Sequence, residues 1–581
     1  MSGPAINDFQ RSDYWPGEPS QWDFIMPQEM MFNMEEQPAV SSDYLPEEQS
    51  NPFAMLVGDG GLMSTAWTVN NDSSPATSTE DAPGPSLLST ADATFGNENS
   101  TTAAQDESDQ SLQPLEVLQA RSASLGEALT GIFPNAPREI FNLPTALSEY
   151  FFREVITLYC LWDSKSNVMR NIVETMWQSS GALHHTIQSM AAACLSEDFP
   201  HLQSVARSEH VQALELIHKH KQTSSITSKN AMLLASQLLG HTSSWLAPQN
   251  LATDIFRASC SMLNDISAEA TSDPSLSFFS DAMDYWAMLL VYLTDSSQLG
   301  DYRRNASVGP TGPTQAAEPH PYSGISHEMV RILTDTGILI FQYRKHMARV
   351  KFMTENDLDV FRNALREARR LERVLLANVT PDSSQFKDPG DPKTPLRHLE
   401  LIDEAYRCTG LLQLYRVFPD LLNERYAPWD KDQLLRPMPS QREPTMQERQ
   451  VWLTKLAMHI LSILREIPFE SRTRSAQPFV MVAVSSELRR DPQHILQQQH
   501  GFESFAGDAS LVPIDKTSIE VARARKFVGS RLAAYTHILP LRKSRVIFEL
   551  INNVWSAMDS GQQDVYWLDV AYDKKLGTMM G

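Results

Sequence analysis

Two histidine groups, His184–His185 and His218–His220, are the first places where this chain could do chemistry. Two metal ligands on one helix face need a spacing of four residues, as in H-E-x-x-H. Neither group has it, and adjacent histidines on a helix point about 100° apart. Both groups therefore read as satisfied or solvent-facing side chains. The four cysteines, Cys160, Cys194, Cys260 and Cys408, are far apart, and each lies in an apolar helical context. None has the C-x-x-C spacing of a zinc site, so they read as small core hydrophobes in a reducing compartment. No G-x-S-x-G elbow, G-x-x-x-x-G-K-[ST] phosphate loop or G-x-G-x-x-G fingerprint occurs. Asp163 closes an apolar helix with no base or nucleophile to serve. The expectation is a protein with no catalytic, cofactor-binding or metal-binding residue, and not an enzyme.

Basic residues fall in three clusters. These are Arg344, Lys345, Arg349 and Lys351; Arg362, Arg366, Arg369, Arg370 and Arg373; and Arg542, Lys543 and Arg545. Each could touch phosphate or serve nuclear import, but such runs are more often solvated helix faces. Nothing marks a secretory leader or a membrane span. The N-terminus lacks a basic region before an apolar run, and no apolar stretch approaches the roughly 18 residues a spanning helix needs.

The elements that would position these groups divide the chain in two. The net charge is −22 over 581 residues. Residues 1–120 carry twenty Asp and Glu against one base, Arg11, while the remainder is near neutral. Residues 1–120 are rich in Ser, Thr, Asn, Gln, Pro and Gly, a composition that cannot offset the entropy of folding. The reading is a long disordered acidic tail. Its first third interleaves acids with Phe9, Tyr14, Trp15, Trp22, Phe24, Met30 and Phe32. Repulsion between carboxylates keeps such side chains in water and available to a groove on a partner, a composition of activation domains. The stretch Trp22–Met34 could fold as a short helix on binding, with Pro27 interrupting it.

Residues 121–581 read as all-α, an irregular multi-helix domain. Leu147, Tyr150, Phe151, Val155, Leu158, Tyr159 and Trp162 follow a helical period. Asn167 reads as the N-cap of the next helix. Further helices are expected over 181–194, 204–220, 228–240, 251–263, 282–293, 328–348, 399–418, 446–467, 521–538 and 545–557, with another marked by Phe361, Leu365, Ala368 and Leu375. Phe479–Val484 is β-branched enough to be ambiguous, and a buried helix is favoured because no partner strands are visible. Loop insertions near 296–323, 378–395, 428–444 and 491–514 exceed usual connection lengths and read as flexible surface segments.

The segment EYFFREVITLYCLWDSKSN, residues 149–167, resembles the fungal-specific transcription factor domain, the helical regulatory region of zinc-cluster regulators. The likeness rests on Tyr150, Phe151 and Trp162, on a D-S-x-x-N element formed by Asp163, Ser164 and Asn167, and on a Trp-bearing turn at Trp245. It continues through the small-residue helix at Met190–Ala193, through Glu404–Phe418 and Pro478–Leu488, and through Val546–Trp555 to Trp567, so it covers most of 140–575. The chain departs from the family before Cys160, where no cysteine stands for the usual six-cysteine zinc cluster. No zinc ligand is carried over, and zinc is expected only if a preceding segment supplies such a cluster. The Asn250–Ser259 stretch also departs from the family's His and Gly-Ala pattern.

The resemblance implies a nuclear regulator of RNA polymerase II genes, of the kind that controls specialised-metabolite, nutrient or stress pathways. It implies coactivators or other regulators as partners, DNA contacted through a partner, and a homo- or hetero-oligomer. Two alternatives stand beside it: a zinc-cluster factor whose N-terminal exon is missing, and a non-transcriptional helical scaffold or ligand-sensing protein.

Overall fold

A computed structural model describes residues 142–581 apart from 220–224, 270–274, 301–316, 379, 382, 436–439, 441, 491–515 and 539–540. The tail and its side chains Phe9, Tyr14, Trp15, Trp22, Phe24, Met30 and Phe32 lie outside the described residues. Among the described residues there are helices and no strands; two isolated backbone bridges, Ala317 with Phe386 and His320 with Gly324, are the nearest approach to one.

Local sequence explains where the helices start. α1, Leu143–Tyr150, begins with Pro144 in its first turn, where the missing N–H has no cost. It runs into a π-helical turn, Phe151–Val155, and then α2, Ile156–Tyr159. α3, Val168–Met176, is capped by Asn167, whose Oδ1 accepts the Arg170 N–H. Ser180 caps α4, Gly181–Leu195. α5 spans Leu202–Lys219, α6 Ile226–Leu246, α7 Thr253–Glu269 and α8 Ser275–Val291. α9 spans His327–Met347. α10, Glu355–Ala377, opens with a capping box between Thr354 and Asp357. α11 is Leu396–Val417, and Pro419 starts the short α12, Pro419–Arg425. α13, Met446–Glu466, has a second capping box between Thr445 and Glu448. α14 is Gln477–Ser485, α15 Lys516–Ile538, α16 Arg542–Asp559 and α17 Trp567–Asp573.

The ambiguous run Phe479–Val484 is therefore helical, and every one of its residues is buried. Helices α4, α6, α8 and α14 are covered on nearly all sides, which explains why their sequences lack a clean apolar stripe. Peripheral helices keep the stripe. α10 buries Ala364, Leu365, Ala368, Leu371 and Leu375 and turns its arginines outward.

The packing order is a continuous chain of neighbours. α4 lies on α5 and α6, α6 on α7 and α8, α8 on α9, and α9 on α10 and α11. α11 contacts α13 and α14, α14 contacts α16, and α16 returns to α6. The last long helix thus packs against one of the first, and a single core runs from Leu147 to Met580.

Two expectations change. The helix carrying Leu233, Leu234 and Leu238 continues to Leu246, so Trp245 sits in its last turn, 4% exposed, instead of in a turn beyond it. The insertions are not surface segments throughout. His320, Tyr322 and Ser323 are buried between α2 and α8, and Asp391 and Thr394 are buried beside residues 471–473. The His320 ring and the backbone around it are satisfied inside: His320 Nε2 meets Phe278 O at 3.1 Å, and the backbone N–H groups of Tyr322 and Ser323 donate to His320 Nδ1. A Gly- and Pro-rich composition signals irregular backbone, and irregular backbone can be buried once it is hydrogen-bonded.

Candidate functional site

The D-S-x-x-N element is a junction. Asn167 Oδ1 caps α3 while its Nδ2 donates to Trp162 O at 3.1 Å. Trp162 is fully buried and its Nε1 donates to His320 O at 3.3 Å. Asp163 pairs with Arg170, and the Asp163 N–H donates to Asp391 Oδ2 at 2.9 Å. Arg472 Nε donates to that same oxygen at 2.7 Å, and the Arg472 N–H to Thr394 Oγ1 at 3.1 Å. Ser164 Oγ accepts the Ser166 N–H at 3.2 Å and tightens the turn. Tyr150 is half-buried and Phe151 fully buried on the core side of the first helical segment. The element therefore fastens the α2–α3 corner to two segments from the distant half of the chain.

That fastening frames a cavity. α2 supplies Leu158 and Tyr159, and α6 supplies Trp245. The 3-10 turn Arg472–Ala476 supplies Arg474 and Ser475, α15 supplies Tyr535, and α16 supplies Lys543. Its volume is about 70 Å³, and a smaller pocket of about 10 Å³ bordered by His241, Tyr285 and Tyr322 shares Tyr159 and Ser475 with it. A water needs about 10–15 Å³ on this scale, so the larger space could hold several waters or a small molecule.

The walls are aromatic and cationic. Tyr159 hydroxyl meets His241 Nδ1, and the Tyr159 ring packs edge-on against Tyr322 with centroids 5.1 Å apart. Burial lowers His241 to about 3, with Lys543 and His320 adding repulsion, so the ring is neutral. Its Nε2 is buried without a partner among the described residues. Lys543 is buried, donates to Gly581 O and lies 6.0 Å over the Trp245 ring. Burial lowers Lys543 to about 8, with the Cys194 thiol pulling the other way. Arg474 is lowered by burial and then by Arg472, and its Nε has no partner among the described residues. Neither cation has a carboxylate partner among the described side chains. Lys543 is held by Gly581 O, and Arg474 is half-buried at the cavity wall. The arrangement can hold a small organic anion.

Sequence reasoning placed Tyr159 on a helix face and Lys543 in a basic run, and missed both as cavity walls. The neighbours in that run, Arg542 and Arg545, do face outward and pair with Glu197. The other two clusters are largely ion-paired faces as well, with Arg344 on Asp569, Lys345 on Asp295, Arg369 on Glu424 and Arg370 on Glu367. His185 Nδ1 meets Glu209 at 2.6 Å, and His184 stacks on Trp177.

Asp281, Asp284 and His327 gather within 4.8 Å of one another. Arg331 Nε donates to Asp284 Oδ2 at 2.7 Å, so a guanidinium already serves as the cation there. Burial raises the Asp281 carboxyl to about 7, with Asp284 adding repulsion, and burial lowers His327 to about 4. Among the described residues no helix is long and apolar enough to cross a membrane.

The model of the fungal-specific transcription factor domain matches residues 146–581. The chain belongs to that family: its helical body is the regulatory domain of a fungal transcription regulator. No curated protein and no solved structure matches the chain.

Proposed function

We propose that this protein is a nuclear regulator of RNA polymerase II genes that joins an acidic-aromatic activation segment to a helical body responsive to a small organic anion. The observation that carries the reading is the family match over 146–581 in a chain whose residues 1–120 hold twenty acids and one base. Phe9, Tyr14, Trp15, Trp22, Phe24, Met30 and Phe32 are the anchors that coactivators would take up, in the helix-in-groove manner. In this reading DNA is reached through a DNA-bound partner. Buried Lys543 and half-buried Arg474 beside the Trp245 cavity support the effector reading.

Fusion of residues 1–60 to a heterologous DNA-binding domain tests the first half. The fusion activates a reporter, and changing Trp15, Trp22, Phe24 and Phe32 together to Ala silences it. A silent wild-type fusion, or a fully active quadruple variant, rejects the activation role. For the second half, small mono- and dicarboxylates raise the melting temperature of the full chain, and Lys543→Met removes the shift.

A further inference from the structure

Glu404 and Cys408 are four residues apart on α11, so helical geometry places them on one face. α13 packs against α11 and brings up His459. A Glu404 oxygen, Cys408 Sγ and a ring nitrogen of His459 all lie within 4.8 Å of one another. The remaining contacts leave these three donors turned toward each other. Glu404 Oε2 is held from behind by Arg407 Nη2 at 2.6 Å and Thr380 Oγ1 at 3.4 Å. The other oxygen, Oε1, lies 3.6 Å from Cys408 Sγ and accepts the thiol proton. The His459 ring makes no hydrogen bond among the described residues and lies against Trp429, with centroids 6.2 Å apart. Cys408 is fully buried, while Glu404 and His459 are half-buried and give the group an edge toward solvent.

We propose that Glu404, Cys408 and His459 form a binding site for a zinc-type divalent cation. Thiolate, imidazole and carboxylate together are the donor set of borderline-soft zinc, whereas magnesium and calcium take oxygen alone. Three protein donors leave a fourth position for water or an exchangeable ligand, the composition of an open site and not of a closed structural one. Bonds of about 2.0–2.3 Å imply donor separations of about 3.3–3.8 Å in a tetrahedron, so closure needs movement of about 1 Å. Arg407 on Oε2 is the outer partner that orients the carboxylate. It also distinguishes this cluster from Asp281, Asp284 and His327, where the arginine sits on a buried ligand oxygen with no thiol nearby.

Binding balances without oxidation. The cation forms a bond to sulfur, the Cys408 S–H bond breaks, and the proton passes to solvent. Glu404 enters as carboxylate and His459 as neutral imidazole. The bound ion would staple α11 to α13, and each ion taken up would release one proton.

The test uses the full chain after removal of metal with a chelator. Titration with Co²⁺ should give one equivalent bound, a thiolate-to-cobalt charge-transfer band in the near ultraviolet and tetrahedral visible bands, all displaced by Zn²⁺. Cys408→Ser should remove the charge-transfer band, while Cys260→Ser and Asp281→Asn should keep it. His459→Gln, at a half-buried position, should fold and bind Co²⁺ at least about tenfold more weakly. Zn²⁺ should raise the melting temperature of the wild type and not of His459→Gln. Absence of the band in the wild type, its persistence in Cys408→Ser, or unchanged affinity in His459→Gln would overturn the site.

Discussion

Asp163 and Arg170 meet in a two-pronged pair, Nε to Oδ1 at 2.7 Å and Nη2 to Oδ2 at 2.6 Å. Both side chains are largely buried, at 8% and 17% exposure. The pair secures the corner that carries Tyr159 into the cavity.

Asp163→Ala takes the two-pronged carboxylate from the largely buried Arg170 guanidinium and leaves it Glu174 at 3.0 Å and Phe152 O at 3.1 Å. Removing one partner of a buried pair costs about 3 kcal/mol. Urea unfolding of the full chain should show that loss. The double variant Asp163→Ala/Arg170→Ala should lose less than the sum of the two single changes, because the two residues share one interaction.

Gly240 lies mid-helix in α6, where alanine would ordinarily favour the helix by about 1 kcal/mol. Here a Cβ would fall 1.9 Å from Cη2 of Trp286, a fully buried ring wedged between Phe256 and His241. Sterics outweigh propensity, and Gly240→Ala should destabilise the fold by about 3 kcal/mol. Displacement of the indole should also change the tryptophan fluorescence of the folded protein.

Acid sensitivity follows from His241 and His320, each lowered by burial from 6.5 to about 3. Between those values the unfolded chain binds two protons that the folded chain refuses. Stability is full above pH 6.5 and is lost as pH falls toward 3. The slope from these two rings is about 2.7 kcal/mol per pH unit near pH 5. The Asp281–His327 pair adds nothing to it near pH 5, since folded and unfolded forms each hold one proton there. Urea midpoints between pH 4 and 7 measure the slope, and His320→Gln should roughly halve it.

Lys543 is held at about 8 by burial, below its ordinary 10.5. At pH 7 it is charged in both folded and unfolded states, and the full burial cost is present. As pH rises through 8 toward 10.5, the folded chain sheds the proton first and the cost is relieved. Lys543→Met should therefore stabilise the protein by about 2 kcal/mol at pH 7, net of the lost bond to Gly581 O, and by less at pH 9. A lower melting temperature in this variant would show the charge to be structural.

Helix existence was legible because peripheral helices such as α10 display their apolar stripe directly in the residue order. The capping side chain of Asn167 was legible for the same reason, since capping acts within three residues. The cavity was not legible. Its walls come from α2, α6, α15, α16 and a 3-10 turn, and only packing brings Tyr159, Trp245, Arg474 and Lys543 together. Lys543 was hidden inside the run Arg542–Arg545, because a helix turns 100° per residue and one member of a charged run can face inward. The buried segment around His320 was misjudged because composition reports irregular backbone, not depth.

The π-helical turn at Phe151–Val155 is in effect a helix with one residue too many. Deleting Phe152 would let the segment relax into ordinary α-helix, an outwardly mild edit. The widened turn absorbs the extra residue, so the side chains C-terminal to it would keep their face, with Tyr159 still against His241. The same loss inside a regular stretch such as α6 would turn every following side chain by about 100°, so Phe151–Val155 is a point where the first helical segment can change length without moving the cavity wall.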